Sequence, residues 1–525
     1  MNTRAIILFV LFIKFTGLSS LIASDEQDTI FVRKSADFFE RIEVMNPWHL
    51  SDNPAGFVFY PVNNISRVLL GYSYQDENLR WAQAPGNTVR YEAQTEGIRR
   101  IGRFVMKGGF RYQNDQYRDI LFNNTMVFDN RNIYTTGDTL GGRQRNEGYF
   151  MNAGAGFVLR ENWIVGLDLD YKTTVGAKMQ DPRNQNTQSR LDIVPGILYR
   201  RDNLNFGLSG GPIWERNYVS IRNMLDERHS LFHMMGMGYY GISRNVTSES
   251  YLFENLGFHA GFQFSIDRPG FTAFQHVQYT GTEMERLEGS SYRLLAGITQ
   301  KDEITYAGKA LFESDIYLHQ IDLTARFTRL VGSEITQETY SVGEGDLRWF
   351  EIRTIRWIDD KHIVNDLDVE LGYQLSGLGT RRQPLIYEVE AGAGFSSYQA
   401  NHYPVHLYGT YEVQSVSAYV GYQHYFRFPQ FDFTPSVRLT ARQSVADTYM
   451  VQDQDRFNSE IPRRDFQYLV TDYYKADVGM RLSRPLRMGR LQEAYLGIFG
   501  SYLYMPDIEE ENHNRLMRFS LGLVF

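Results

Sequence analysis

The chain of 525 residues contains no cysteine. That excludes a disulfide scaffold, thiolate metal sites and a lipid anchor on a cysteine. Long hydrophobic runs are also lacking. Beyond the first residues, no segment approaches the roughly 18 apolar residues of a membrane-spanning helix. Positive charge is in deficit: 54 Lys and Arg stand against 62 Asp and Glu, a net charge of −8. No basic patch marks a nucleic-acid surface. No linker, low-complexity stretch or sequence repeat divides the chain. Aromatic residues, in contrast, are abundant, with 35 Tyr and 35 Phe.

The first residues read as a secretory signal peptide. Arg4 supplies a basic start, residues 5–13 an apolar core, and Gly17, Ser19, Ser20, Ala23 and Ser24 small residues for cleavage. Lys14 cuts the apolar run short of a span. The expected division is signal peptide 1–24, a lead-in 25–62, and one β-rich body 63–525.

From about Ser66 onward, apolar residues recur at every second position. Trp163, Val165, Leu167, Leu169 and Tyr171 oppose Gly166, Asp168, Asp170 and Lys172. Leu367, Val369, Leu371, Tyr373 and Leu375 oppose Asp366, Asp368, Glu370, Gly372 and Gln374. Period two is the signature of strands with two unlike faces. Segments of about ten residues with charge opposite the apolar stripe fit a lipid-facing barrel. A soluble sandwich of this size would divide into domains. A mean hydropathy of −0.40 agrees, because only half of each strand meets lipid. The fold class is therefore all-β: a single transmembrane antiparallel β-barrel of 18 strands, within a range of 14–22. Arg201-Asp202-Asn203, Asp267-Arg268-Pro269-Gly270 and Phe428-Pro429-Gln430 mark tight turns. Irregular stretches at 127–146, 177–188, 214–230, 331–345 and 443–465 are assigned to external loops. Gly108-Gly109 and Gly210-Gly211 suggest bends or bulges.

The last strand carries Met517, Phe519, Leu521, Leu523 and Phe525 on one face and ends on the aromatic residue. It resembles the C-terminal insertion signal of bacterial outer-membrane barrels, which implies delivery by the barrel-assembly machinery into outer-membrane lipid. In the lead-in, residues 35–44 predict a short amphipathic helix with Ser35 as N-cap. Asn53-Pro54-Ala55-Gly56 resembles the Asn-Pro-Ala stretch of long-chain fatty-acid-transporter-type barrels, whose N-terminal segment folds into the lumen as a hatch. The whole chain is similar to uncharacterised outer-membrane barrels of the Bacteroidota. A disordered or periplasmic lead-in is the alternative for residues 25–62.

The candidate functional residues are charges on inward faces. Asp366, Asp368, Glu370, Glu388 and Glu390 predict an acidic wall on two adjacent strands. Arg438 and Arg442, with Arg103, Lys107 and Arg111, predict a basic wall. Opposed walls favour polar, zwitterionic or charged solutes. The plainer reading is that these charges pair and fill the lumen. His229 and His233 followed by Met234, Met235 and Met237 are soft-metal or haem ligand types. The His pair needs a helix, however, and the following residues read as β. Packing at the rim is preferred, and no metal or cofactor is expected. His259 and His276 fall on inward faces without an accompanying nucleophile, and no Ser/His/acid spacing stands out, so no enzyme is expected. A transporter or selective channel for a small polar or amphipathic solute is the favoured function. The alternative is a structural component that anchors a surface or secretion complex through its external loops. A receptor with a large globular plug is excluded by the short lead-in.

Overall fold

The computed structural model describes residues 35–126, 133–223, 229–289, 293–343, 349–379, 385–403, 408–452, 456–488, 490–509 and 512–525. The expected signal peptide, residues 1–24, and residues 25–34 lie outside them, as do parts of the expected external loops.

Eighteen antiparallel strands form one closed sheet. They are β1 (Asn64–Glu77), β2 (Asn87–Ile101), β3 (Phe104–Arg118), β4 (Gln144–Arg160), β5 (Trp163–Lys178) and β6 (Arg183–Arg201). Next come β7 (Leu204–Arg222), β8 (Ser248–Arg268), β9 (Phe271–Glu288), β10 (Leu294–Glu313), β11 (Tyr317–Val342) and β12 (Trp349–Leu378). The last six are β13 (Leu385–His402), β14 (Gly409–His424), β15 (Asp432–Val451), β16 (Tyr473–Met488), β17 (Leu491–Tyr504) and β18 (His513–Val524). Each strand pairs with its sequence neighbours. Closure is made by β1 on β18, from Arg67 opposite Val524 to Glu77 opposite Asn514. The eighteen strands and the closed barrel agree with the alternation in the sequence.

The two ends differ. At one, strands reverse through pairs of residues such as 102–103, 161–162, 202–203 and 269–270. Gly102, Asp202 and Gly270 there adopt positive φ, which such turns demand. Both ends of the barrel sequence, Asn64 and Phe525, lie at this end. The other end carries the long connections. Short turns face the periplasm and long loops the exterior in outer-membrane barrels.

Outward residues form an apolar band. Leu70, Leu167, Leu208, Leu256, Leu371, Leu439 and Leu521 are all exposed on the barrel's outer face. Aromatic pairs flank the band. At the turn end, Phe104 stacks on Phe157 at 4.4 Å, Trp163 lies on Tyr199 at 4.8 Å, and Phe271 on Phe312 at 4.9 Å. Towards the loop end the girdle is rich in Tyr, including Tyr112 with Tyr149 at 5.4 Å. Such girdles mark the two membrane–water interfaces. The molecule is an outer-membrane barrel.

Several expectations change. Strands outrun the membrane: β11 continues to Val342 and β12 begins at Trp349, so most of 331–345 is strand. Cross-strand hydrogen bonds continue there while polar residues such as Thr336, Gln337 and Glu338 hide the period. The stretch 443–465 is split between β15 and a helix, Arg456–Val470. The β3 ladder is unbroken at Gly108-Gly109. At Gly210-Gly211 the β6–β7 ladder lapses between Asp192/Ile213 and Gly196/Ser209. Pro195 and Pro212 have no N–H to contribute there. The lead-in is not one helix but two short turns, Ala36–Glu40 and Ile42–Met45, broken at Arg41. Ser35 stands at the N-cap, but its side chain makes no capping bond.

Candidate functional site: a plugged and capped lumen

Residues 35–62 fold inside the turn end of the barrel. Local sequence dictates their path. Asn46-Pro47 and Asn53-Pro54 each begin a 3₁₀ helix, Pro47–Leu50 and Pro54–Phe59. In each, the Asn side chain accepts the N–H two residues on, and Pro supplies a fixed φ at the first helical position.

The second of these turns is seated on a glycine track. Gly156, Gly166 and Gly196 occupy directly paired positions on β4, β5 and β6, facing inward. A Cβ on Gly166 would lie 2.5 Å from the Pro54 carbonyl carbon and 2.6 Å from the Ala55 nitrogen. A Cβ on Gly156 would lie 2.8 Å from the Pro54 oxygen, and one on Gly196 2.2 Å from Asn53 Oδ1. The plug backbone thus touches the wall backbone, an approach only Gly allows. The Asn53 amide donates to Gln263 Oε1 at 2.8 Å and to the Ile197 and Leu208 carbonyls at 3.3 Å. Trp48, 3% exposed, packs on Phe274 with centroids 5.3 Å apart and donates Nε1–H to Ser265 Oγ at 3.3 Å.

The opposite side of the plug is held by charge. Asp37 and Glu40 both pair with Arg481 of β16. Arg41 reaches Glu388 of β13 at 3.2 Å, and Glu43 lies 3.9 Å from Lys309 of β10. Glu388 also accepts from Tyr425 OH at 2.6 Å and Ser376 Oγ at 3.1 Å. The plug therefore has a dry, close-packed side and a charged side.

Above it lies a chamber of about 690 Å³. Leu50 and Asp52 of the plug form part of its floor, and His276, Glu303, Arg326, Asp368, Glu370 and Arg442 part of its wall. A second cavity of about 460 Å³ lies between the plug helices and β13–β16, beside Glu388, Glu390 and Arg438.

The predicted acids do lie on adjacent strands, β12 and β13, facing inward. They form a line along the barrel rather than a patch, because Gln374 and Ser376 stand opposite Glu390 and Glu388. The predicted basic wall is not separate from them. Arg438 of β15 reaches across β14 to Glu390, with Nε 2.6 Å from Oε1. Gly421, paired with both residues, leaves room: a Cβ there would strike the Glu390 carboxylate at 2.2 Å. Asp368 pairs with Arg326 of β11. Lys107 and Arg111 sit on β3, six strands around from β15, over the rings of Phe57 at 5.6 Å and Phe150 at 4.2 Å. Arg103 lies exposed in the β2–β3 turn. Interior charges thus pair locally, so the wall is a mosaic of both signs.

The loop end is covered by a cap that sequence reasoning missed. It comprises the helix Arg456–Val470, a hairpin of His229–Met234 and Tyr240–Val246 joined by Thr136–Gly137, and the β1–β2 loop. Arg442 belongs to this cap. Its guanidinium donates to the Thr471 carbonyl at 2.9 Å and to the Leu469 carbonyl, at the C-terminus of the helix. A cation there complements the helix dipole. Asp465 accepts the Ala82 N–H at 2.8 Å and ties the helix to the β1–β2 loop. Burial pushes its carboxyl up to about 7. The expected His pair is in a strand rather than a helix. His233 is committed to Ser243 Oγ at 2.6 Å and to the Arg286 guanidinium at 2.8 Å. His259 and His276 lie on adjacent strands but not opposite each other, since His276 faces Gln263. Among the described residues no cluster of three His, Asp or Glu is arranged to hold a metal.

The match to a family model covers residues 54–525, from Pro54 of the plug to the terminal Phe. The chain belongs to DUF6850, a family of unknown function. No curated protein matches it. Among solved structures it is similar to the ferric preacinetobactin receptor BauA from Acinetobacter baumannii, at 9% identity and a TM-score of 0.38, over 88% of this chain and 80% of that one. It is similar to the outer-membrane transporter YddB from Escherichia coli at 8% identity and a TM-score of 0.38, over 88% and 81% of the two chains. The RagAB peptide importer gives 6% identity and a TM-score of 0.41, over 88% and 86%.

Proposed function

We propose that this DUF6850 member is a gated transporter, not an enzyme, for a small polar solute that carries both signs of charge. The observation that carries the reading is the plug. It is built for a lumen, with one side fitted to glycines and the other held by separable ion pairs, and a charged chamber lies directly above it. Arg326 and Arg442 alongside Glu303, Asp368 and Glu370 suit a zwitterion better than an ion of one sign. On this reading residues 25–62 are the gate, residues 63–525 the pore, and Met517, Phe519, Leu521, Leu523 and Phe525 the insertion signal read by the assembly machinery.

The test is single-channel conductance of the full chain against Gly166→Leu, with heat-modifiable gel mobility to confirm a folded barrel. Leucine at Gly166 has no room beside Pro54 and Ala55, so the plug is unseated and conductance rises. Equal, negligible conductance from both folded proteins would sink the transporter reading.

A second reading rests on a different feature. The part of β11–β12 beyond the barrel exposes Trp349, Phe350, Ile352, Ile355 and Trp357 at the loop end. That suits an anchor for a surface protein. A barrel that stays silent in bilayers yet co-purifies with a partner lost on polar substitution of Trp349 and Trp357 would favour it.

A further inference from the structure

The cap brings together soft donor atoms from distant parts of the chain. We infer that they form a binding site for a soft monovalent cation, Cu(I), at the loop end of the barrel. The hairpin carries Met234 at the end of its first strand and Met237 in its turn, 3% and 6% exposed. Both line a cavity of about 50 Å³ together with His362, Trp81 and Asp465. His362 comes from β12, more than a hundred residues further along.

Three observations point to a ligand rather than to packing alone. First, His362 is 4% exposed and its Nδ1 has no hydrogen-bond partner among the described residues. Its cross-strand neighbour His402, 1% exposed, has an unpartnered Nδ1 as well. Buried polar atoms are nearly always satisfied, so two orphans on paired residues call for an explanation. Their ring centroids are 5.6 Å apart, a separation that two imidazoles can bridge through one metal ion. Second, the turn is wound tightly against this ring. Gly236, Met237 and Gly238 all have positive φ, and a Cβ on Gly236 would lie 2.9 Å from the His362 ring. Methionine disfavours that conformation, yet a Met is held there at φ 50 with its side chain in the cavity wall. Third, the donor types agree. Thioethers and neutral imidazoles select Cu(I) over hard cations, and Met234, Met237 and His362 all line the same cavity. His402 is fixed in place by stacking on Tyr239 of the same hairpin, at 4.2 Å and 11°.

The test uses silver(I), a redox-silent probe of soft sites, titrated calorimetrically into the folded full-length protein in detergent. Wild type is expected to bind a single ion tightly. Met237→Leu keeps the apolar volume, and His362→Asn keeps a polar side chain, so the fold survives. Each should weaken binding by about tenfold or more. Met179→Leu, at an exposed methionine, is the control and should bind like wild type. Copper(I) in ascorbate, competed against a chromogenic chelator, should follow the same order. The inference is overturned if wild type takes up no silver, or if Met237→Leu and His362→Asn both bind it as wild type does. Gel mobility of the unheated variants separates loss of the site from loss of the fold.

Discussion

Single residues set the two faces of each strand, and the contrast is measurable. Leu371 projects outward at the centre of the apolar stretch of β12, while Asp368, three residues earlier, points inward to Arg326. Leu371→Arg should destabilise the barrel by about 2–4 kcal/mol, the cost of a cation at the bilayer midplane. Asp368→Asn removes a half-exposed ion pair and should cost no more than about 1 kcal/mol. Guanidinium unfolding in lipid, followed by Trp fluorescence, would read both, and equal effects would mean that the faces are wrongly assigned. Asp465 provides a second residue-scale test. Its folded pKa, about 7, lies above the ordinary carboxylate range because the ionised form is buried. The folded cap therefore binds the proton more tightly than the unfolded chain does. Its stability is greatest below about pH 4 and falls as pH rises through about 7. Asp465→Asn should abolish that dependence and protect the cap at pH 8. Hydrogen exchange in residues 456–470, corrected for intrinsic rate, at pH 5 and pH 8 would show it. An unchanged pH dependence in the variant would contradict the assignment.

At the scale of elements, the cap helix depends on a strand residue for its end. Arg442 satisfies carbonyls of Leu469 and Thr471 that a helix terminus otherwise leaves open. Arg442→Ala should lower the stability of Arg456–Val470 by about 1.5–3 kcal/mol, the usual range for hydrogen bonds to a charged group. Faster exchange confined to that helix is the expected readout; unaltered protection would show that packing of Ile461, Leu469 and Phe466 suffices. The strands themselves were legible because lipid and lumen impose opposite demands on successive residues. The turns were legible through Asp202, Pro269 and Pro429. The cap was not. Its helix contains Pro462 and its hairpin sits in a long connection, so neither carries a clean period. The roles of Arg438 and Arg442 were hidden for another reason. Sequence shows which face a charge occupies, but Arg438 meets Glu390 only because Gly421 is absent as a side chain between them.

At the scale of the molecule, the plug and cap leave a charged chamber between two closures that differ in kind. The cap is knitted from several loops with aromatic and Met-rich packing. The plug is one continuous segment joined to β1 through residues 60–64, and none of residues 35–62 takes part in strand pairing. Asn53-Pro54-Ala55-Gly56 stood out in the sequence, but its receptor did not. Gly156, Gly166 and Gly196 are spread over forty residues, and only the β4–β6 register lines them up. The same contacts bear on how the barrel is made. Residues 35–62 precede every strand and touch both β1 and β18 through the cluster that includes Phe38, Tyr60, Ile65 and Val524. A segment that packs on both edges of the seam is suited to serve as a mandrel as well as a stopper, holding the first and last strands against one shared core.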